Sequence, residues 1–450
     1  MIQHLAILGA TGDLTARYLL PAVGALRAAG HLDERFGLTG LGREDWSDEA
    51  FRAWAAEQLD RHAPDLPADH RHWVVAAAQY RRADVTDPGA LTTVIPSDRP
   101  VAAYLALPPS VFPGAVSALH TAGTADGSTI VLEKPFGESL NDAIELNHLL
   151  AERYPERSIF RVDHFLAMAT VLNVLGVRLA NRVLEPIWSS AHIERVDITW
   201  DESLALEGRA GYYDGVGALR DMLQNHLLQL LCLVAMEPPI SLGDRDLRDR
   251  KMDVLRSIRP LSLHDAAHRT RRARYSAGAG TPAYVDEDGV DAQHHTETYA
   301  ELLLELDNWR WPGTTFRLRT GKALRTARHE VAVHFRPVPH LPFSTDATAE
   351  PNVLRFGLEP ESVSLHLTGT SNRGDVLTPL TLAATPEPAE LPPYGRLLLD
   401  VLHRNPALSI RADEAEESWR VVTPVLDAWA KDLVPLEEYP AGSDGPPPRR

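Results

Sequence analysis

The sequence predicts two folded parts: an α/β part built on a doubly wound parallel sheet, then an α+β part with a large, mainly antiparallel sheet. Three observations predict this. Over residues 1–182, short β-rich runs alternate with stretches of helical spacing, the pattern of a parallel sheet wound with helices. After about residue 190, long strand-like runs follow one another without helices between them, the pattern of an antiparallel sheet. The chain has 450 residues, 44% of them apolar, more than one small core needs and suited to two domains.

In the first part the strand runs are HLAILG, FGLTGLG, VAAYLAL, STIVLEK and SIFRVD. LAILGATGDLTARYLLPAV passes from strand through a glycine turn to a helix. Gly9 and Gly12 let the backbone approach a pyrophosphate, and the helix that follows presents free N–H groups and a positive dipole end to it. The G-x-x-G spacing is a weaker signal than G-x-G-x-x-G, and an ordinary tight turn is the alternative. Its place as the first strand-turn-helix of an alternating domain predicts a Rossmann-type dinucleotide site. The second strand ends in TGLGRED, with Arg43 at the turn and no acid before it. A guanidinium there suits a 2′-phosphate, which favours NADP, while Glu44 leaves NAD possible.

In the second part RVDITWDESL reads as a strand. ALRDMLQNHLLQLLCLVAM reads as a helix ended by Pro238 and Pro239. TYAELLLELDNWRW, TTFRLRTG, HEVAVHF and SVSLHLTG continue as strands, and LPPYGRLLLDVL and DEAEESWRVVTPVLDAW close the domain as helices. The expected organisation is a dinucleotide-binding domain over 1–182, an α+β domain over 183–435, to which the resemblance described below gives substrate binding and dimerisation, and a flexible tail over 436–450.

Charge and cysteine content narrow the function. A net charge of −17 gives no electrostatic reason to bind nucleic acid or an anionic membrane. No apolar run approaches the roughly 20 residues of a membrane span. The N-terminus MIQHLAILGATGDL lacks a basic region and a cleavage site. The single cysteine, Cys232, excludes an internal disulfide framework and a Cys-based metal site, and fits a cytoplasmic protein; no metal is expected. Lysine is scarce in a chain that otherwise uses arginine: Lys134, Lys251, Lys322 and Lys431 are all there are.

The chemistry concentrates in a few blocks. RVDHFLAMAT, 161–170, sets an Asp163-His164 pair before an apolar run. GATGDL, EKPFG at 133–137, RVDHF at 161–165, EGRAGYYDGVGALRDMLQNHLLQLLCLVAMEPP at 207–239 and FRLRTGKAL at 316–324 occur in one order. Together they resemble the glucose-6-phosphate dehydrogenase family, over nearly the whole chain to about residue 430.

The resemblance implies a role for each matching position. His226 matches the general base that takes the proton of the sugar C1 hydroxyl, and Asp163 the carboxylate that pairs with it. Lys134 matches a lysine between nicotinamide and sugar, and Pro135 a cis proline. Glu202 and Asp221 match residues that bind sugar hydroxyls; His164 and Lys322 match contacts near the substrate phosphate. Gly9, Thr11, Gly12, Asp13 and Leu14, with Arg43 and Lys134, fall on the cofactor side. A homodimer or homotetramer is implied too. The chemistry agrees independently. Alcohol oxidation by hydride transfer needs a base, which neutral imidazole provides, and an adjacent carboxylate stabilises the imidazolium that forms.

The pattern also breaks. The family typically reads R-I-D-H-Y-L-G-K-E, whose Tyr and Lys hold the 6-phosphate. Here those positions are Phe165 and Met168, and the Glu is Ala169. A lysine of the phosphate-loop helix is Tyr18, and an arginine beyond Lys322 is Ala327. Drift toward arginine does not produce Met or Tyr. The expected reaction is therefore NADP-dependent oxidation of a pyranose at C1 to a lactone, on a substrate lacking or altered at the 6-phosphate. The alternatives are a true glucose-6-phosphate 1-dehydrogenase with a rearranged phosphate site, and a non-catalytic relative that binds nucleotide or sugar.

Overall fold

The computed structural model describes residues 1–206, 208–343, 349–371 and 376–447. In the N-terminal part β1 (His4–Leu8), β2 (Gly37–Gly42), β3 (Ala78–Arg82), β4 (Ala102–Leu105), β5 (Thr129–Glu133) and β6 (Ile159–Val162) form one sheet. Its order is β3-β2-β1-β4-β5-β6 and every ladder is parallel. The central strands are covered on both faces, so β1 and β4 are apolar and buried almost throughout. The order reverses between β1 and β4, which places the ligand crevice at their carboxyl ends. The sequence runs did not include β3: AQYRR is a short edge strand, alternately buried and exposed and closed by two arginines.

The chain forms two compact units, and neither is contiguous. The first is Met1–Ala169, Ile240–Arg248 and Pro388–Glu416; the second is Thr170–Pro239, Asp249–Glu387 and Glu417–Arg450. The sequence reading had assigned 388–416 to the second domain. The helix Pro393–His403 instead buries Leu397, Leu398, Val401 and Leu402 in one core with Ile7, Val23 and Tyr104 of the first unit. Ile2 N also donates to Leu402 O at 2.7 Å.

The second unit is built on β7 (Ile193–Asp201), β8 (Thr270–Ser276), β9 (Tyr299–Leu304), β10 (Thr315–Gly321), β11 (Arg328–Phe335), β12 (Val353–Glu359), β13 (Glu361–Thr370), β14 (Leu377–Ala384) and β15 (Leu436–Pro440). Their order is β14-β13-β12-β11-β7-β10-β9-β8-β15. The β7–β10 and β8–β15 ladders are parallel and the others antiparallel. β15 corrects the expectation of a flexible tail from 436. Leu436–Pro440 is an edge strand, and Gly442 N then donates to Ala323 O at 2.7 Å. Residues 448–450 of that expected tail lie outside the described residues.

One helix of this unit matters most for the site. Leu219–Leu227 winds with wide, π-type turns and continues directly as the α-helix Leu228–Ala235, all of whose residues are buried. A buried helix end leaves carbonyls without water, and each must find a donor. Trp188 Nε1 donates to Val234 O at 2.8 Å, Trp311 Nε1 to Ala235 O at 2.8 Å, and Arg178 Nη1 to Val234 O at 3.2 Å. Pro238 and Pro239 then prevent continuation. Among the described residues no helix is long and apolar enough to cross a membrane.

Candidate active site

The first unit carries the glycine turn at the β1–β4 crevice. Gly9 has φ +86°, and a Cβ there would lie 2.2 Å from Ala106 O, so the position excludes any side chain. Gly9 N and Ala10 N donate to Leu41 O at 2.9 and 3.0 Å, and Gly12 N to Gly9 O at 3.2 Å. Gly12 and Asp13 are exposed and Thr11 and Leu14 half-buried, and the helical segment beginning at Thr15 follows. Backbone packed this tightly ahead of a helix fits a pyrophosphate.

The end of β2 fits the rest of a dinucleotide. Arg43 and Glu44 are both exposed there, and the Glu44 carboxylate turns back on the loop. Its carboxylate accepts from Tyr80 Oη at 3.1 Å and from the Thr11 hydroxyl. Its own backbone N–H, with these two donors, holds it below the usual carboxylate range. Glu44 is thus engaged by protein groups, and the group projecting at the ribose end is a guanidinium, which suits a 2′-phosphate.

Below the crevice, β5 ends in Glu133 and the Lys134–Pro135 peptide is cis. Tyr104 and Tyr394 both donate their hydroxyls to Glu133. Burial pushes this carboxyl up to about 7, with Asp163 raising it further and Lys134 opposing. Asp163 is buried beyond β6, and its Oδ1 accepts from Phe165 N at 2.9 Å, capping the single turn His164–Ala167. The half-buried His164 ring stacks on Tyr394, centroids 5.4 Å apart, and Tyr394 stacks on Tyr18 at 4.9 Å. An open groove of about 840 Å³ begins at these three rings and runs past Arg17 and His62. Phe165 is buried, and Met168 is half-buried.

The second unit carries the other predicted residues. His226 is 1% exposed on the π-type segment, one turn after Asp221. Its backbone N–H donates to Asn225 Oδ1 at 2.6 Å, while Asn225 Nδ2 donates to Arg220 O at 3.0 Å. The segment winds in wide, π-type turns, which occur often at functional sites. Lys322, just beyond β10, makes a close ion pair with Glu202, just beyond β7. The same ammonium lies 5.9 Å from the centre of the Tyr213 ring. Tyr213 is buried, and its hydroxyl, pushed well up by burial, also feels Asp221, Glu297 and Glu202. The structure therefore gathers Glu202, Lys322 and Asp221 about Tyr213, to which the sequence reading gave no role. Of the arginines near Lys322, Arg328 pairs with Asp201 at 3.2 Å and the exposed Arg325 with Asp444 at 3.4 Å.

Two family models account for the chain. "Glucose-6-phosphate dehydrogenase, NAD binding domain" matches residues 6–173, and "Glucose-6-phosphate dehydrogenase, C-terminal domain" matches 175–449. The chain belongs to the glucose-6-phosphate dehydrogenase family. It is an oxidoreductase that uses NADP. It is 39% identical to the glucose-6-phosphate 1-dehydrogenase of Treponema pallidum, covering 98% of this chain and 92% of the relative. It is 38% identical to that of Mycolicibacterium smegmatis, covering 98% and 93%. Among solved structures it is similar to glucose-6-phosphate 1-dehydrogenase from Mycobacterium avium, with TM-score 0.88, 33% identity, and 99% and 95% covered. A glucose-6-phosphate dehydrogenase solved in complex with its substrate glucose-6-phosphate superposes with TM-score 0.90 at 29% identity, with 98% and 95% covered. These names weigh toward the alternative in which the substrate keeps its 6-phosphate, and away from the altered-substrate expectation.

The state of Glu133 gives a test on stability. A carboxyl raised on folding from 4.5 to about 7 adds stability below its unfolded value, and that stability is lost as pH rises through about 7. Thermal unfolding of Glu133→Gln followed from pH 5 to pH 8 should show a smaller fall in Tm than the parent. Parallel curves would show that Glu133 ionises as freely as an exposed carboxylate.

Proposed function

We propose that this protein is a glucose-6-phosphate 1-dehydrogenase, oxidising the sugar at C1 to the lactone with NADP. The observation that carries this reading is full-length similarity to relatives of that name, in a chain that keeps Asp163, His226 and Lys134. NADP, when bound, accepts the hydride that leaves C1. His226 takes the hydroxyl proton, so the C1–O bond becomes a carbonyl as one hydride and one proton depart. Asp163 orients the imidazole and stabilises its protonated form. Lys134 would contact the nicotinamide and the sugar, Glu202 and Asp221 would accept from sugar hydroxyls, and Lys322 and His164 would serve the phosphate end. The buried position of His226 supports its part, since exclusion of water strengthens charge interactions at the reacting atoms.

A second reading, an uncharged or altered C6 group, is favoured by one set of residues: buried Phe165, half-buried Met168, and Tyr18 stacked on Tyr394. A substrate panel decides between the two. With NADP, glucose 6-phosphate should exceed free glucose in kcat/KM by at least about tenfold, the worth of a single charge-assisted contact. Equal values, or a preference for the free sugar, would establish the second reading. On the preferred substrate His226→Asn should lower kcat by about 10²–10⁴-fold while NADP still binds; turnover within threefold of the parent would remove His226 from the mechanism.

The cofactor reading assigns Arg43 to the 2′-phosphate. Arg43→Ala should therefore weaken NADP by about 1.5–3 kcal/mol and leave NAD nearly unchanged. Equal weakening of both in titrations of intrinsic fluorescence would assign Arg43 to the adenine or the fold.

The chain is also read as a homodimer. On one face of the second sheet Val363, Leu365 and Leu367 of β13 pair with Ala384, Leu382 and Leu380 of β14. Leu380 and Leu382 are 47% and 54% exposed, an apolar stripe that fits a second copy of itself. Leu380→Glu with Leu382→Glu should shift the sedimentation velocity toward the monomer; an unchanged oligomer would place the contact elsewhere.

A further inference from the structure

The segment that carries Asp221 and His226 has a second constraint at its start. It opens at Leu219, buried, with backbone N–H groups that no water reaches. A single residue answers two of them. Leu219 N donates to Glu297 Oε1 at 2.9 Å, and Ala218 N donates to Glu297 O at 3.1 Å. Glu297 is 7% exposed and lies just before β9. Gly217 makes room for it: a Cβ there would fall 2.4 Å from Glu297 Oε1, and φ is +75°. A carboxylate brought this close to the start of a helical segment is an electrostatic clamp on it.

We propose that Glu297 is a positioning residue for the reaction, its carboxylate fixing the start of Leu219–Leu227 and through it the placement of Asp221 and His226. The inference rests on His226 acting as the base. In the sequence Glu297 is one of two acids in the run HHTETYAELLL, and nothing local singles it out.

The charges around Glu297 make the clamp sensitive to pH. Burial raises its carboxyl to about 7, with Leu219 N–H and its own N–H, then Arg220 and Arg272, favouring the ionised form. Tyr213 and Tyr284 face it from the segments packed against it, both with hydroxyls raised by burial. Above pH 7 the carboxylate is charged and the clamp is strong. Below it the group is neutral and the charge–dipole attraction is gone.

Glu297→Gln keeps the shape and an acceptor oxygen but is neutral at every pH. At saturating glucose 6-phosphate and NADP, its kcat at pH 9 should lie about tenfold below the parent, within the loss that small misplacements of reacting groups cause. The ratio of parent to variant should fall toward one below pH 6, titrating near pH 7, while KM for NADP moves less than twofold. Glu297→Asp, which keeps the charge, should recover part of the loss at pH 9. A ratio of one at pH 9, or a loss that does not change with pH, overturns the proposal. Failure of the underlying reading looks different. If His226→Asn retains turnover, the base is wrong; if it is inactive while the Glu297→Gln ratio is flat, the Glu297 inference alone fails.

Discussion

A helix buried along its whole length has nowhere to leave its ends, and much of the second unit follows from that requirement. Every residue of Leu228–Ala235 is buried, so its terminal carbonyls cannot turn to water. The indoles of Trp188 and Trp311 and the guanidinium of Arg178 take them. At the other end Glu297 receives Leu219 N. Leaving one such group unmet costs roughly 1–3 kcal/mol, a large share of a typical net stability. The tryptophans are therefore held by the helix as firmly as they hold it, and the position of His226 along this axis is a property of the fold rather than of a loop.

The first unit meets a different problem, acid held with few cations. Glu133 is satisfied by two phenol hydroxyls, from Tyr104 and Tyr394, rather than by an ion pair. Of the charges that act on it, Lys134 favours ionisation and Asp163 opposes it. A lysine at position 18 would add a second cation to this neighbourhood. Tyr18 instead extends an aromatic stack through Tyr394 to His164. Neutral donors hold the Glu133 carboxyl, and stacked rings line the groove beside it.

How much of this was legible in the sequence depended on whether a signal was local. The parallel sheet was legible because its central strands are covered on both faces and read as apolar runs. β3 was not, and neither were β8, β12, β14 and β15. TRRARYS of β8 buries arginine side chains through partners such as Val434 O and Asp432, which no local pattern discloses. The helix Pro393–His403 was legible as a helix, but an apolar face does not say which core it enters. At the site, Gly9, Arg43, Asp163 and His226 stood in motifs. Glu133 stood in one too, but its state comes from Tyr104 and Tyr394, distant in sequence. Tyr213 and Glu297 were missed because their meaning lies entirely in what surrounds them.

The phosphate question turns on where positive charge remains. If the family's phosphate contacts fall at positions 165 and 168, Phe165 and Met168 would forgo roughly 3–6 kcal/mol of charge-assisted bonding. The second unit has cations to redistribute. Asp201 is shared by Arg319 and Arg328, which leaves one excess positive charge at the ends of β7, β10 and β11. Arg319 is 13% exposed and committed to that carboxylate, whereas Arg328 is 44% exposed. Asp201 is buried, and if Arg328 turned toward an arriving dianion the carboxylate would still be paired with Arg319 at 3.0 Å. A guanidinium joining the Lys322 ammonium at the phosphate end would add a planar, two-pronged grip. That change of chemistry follows the same preference for arginine that runs through the whole chain.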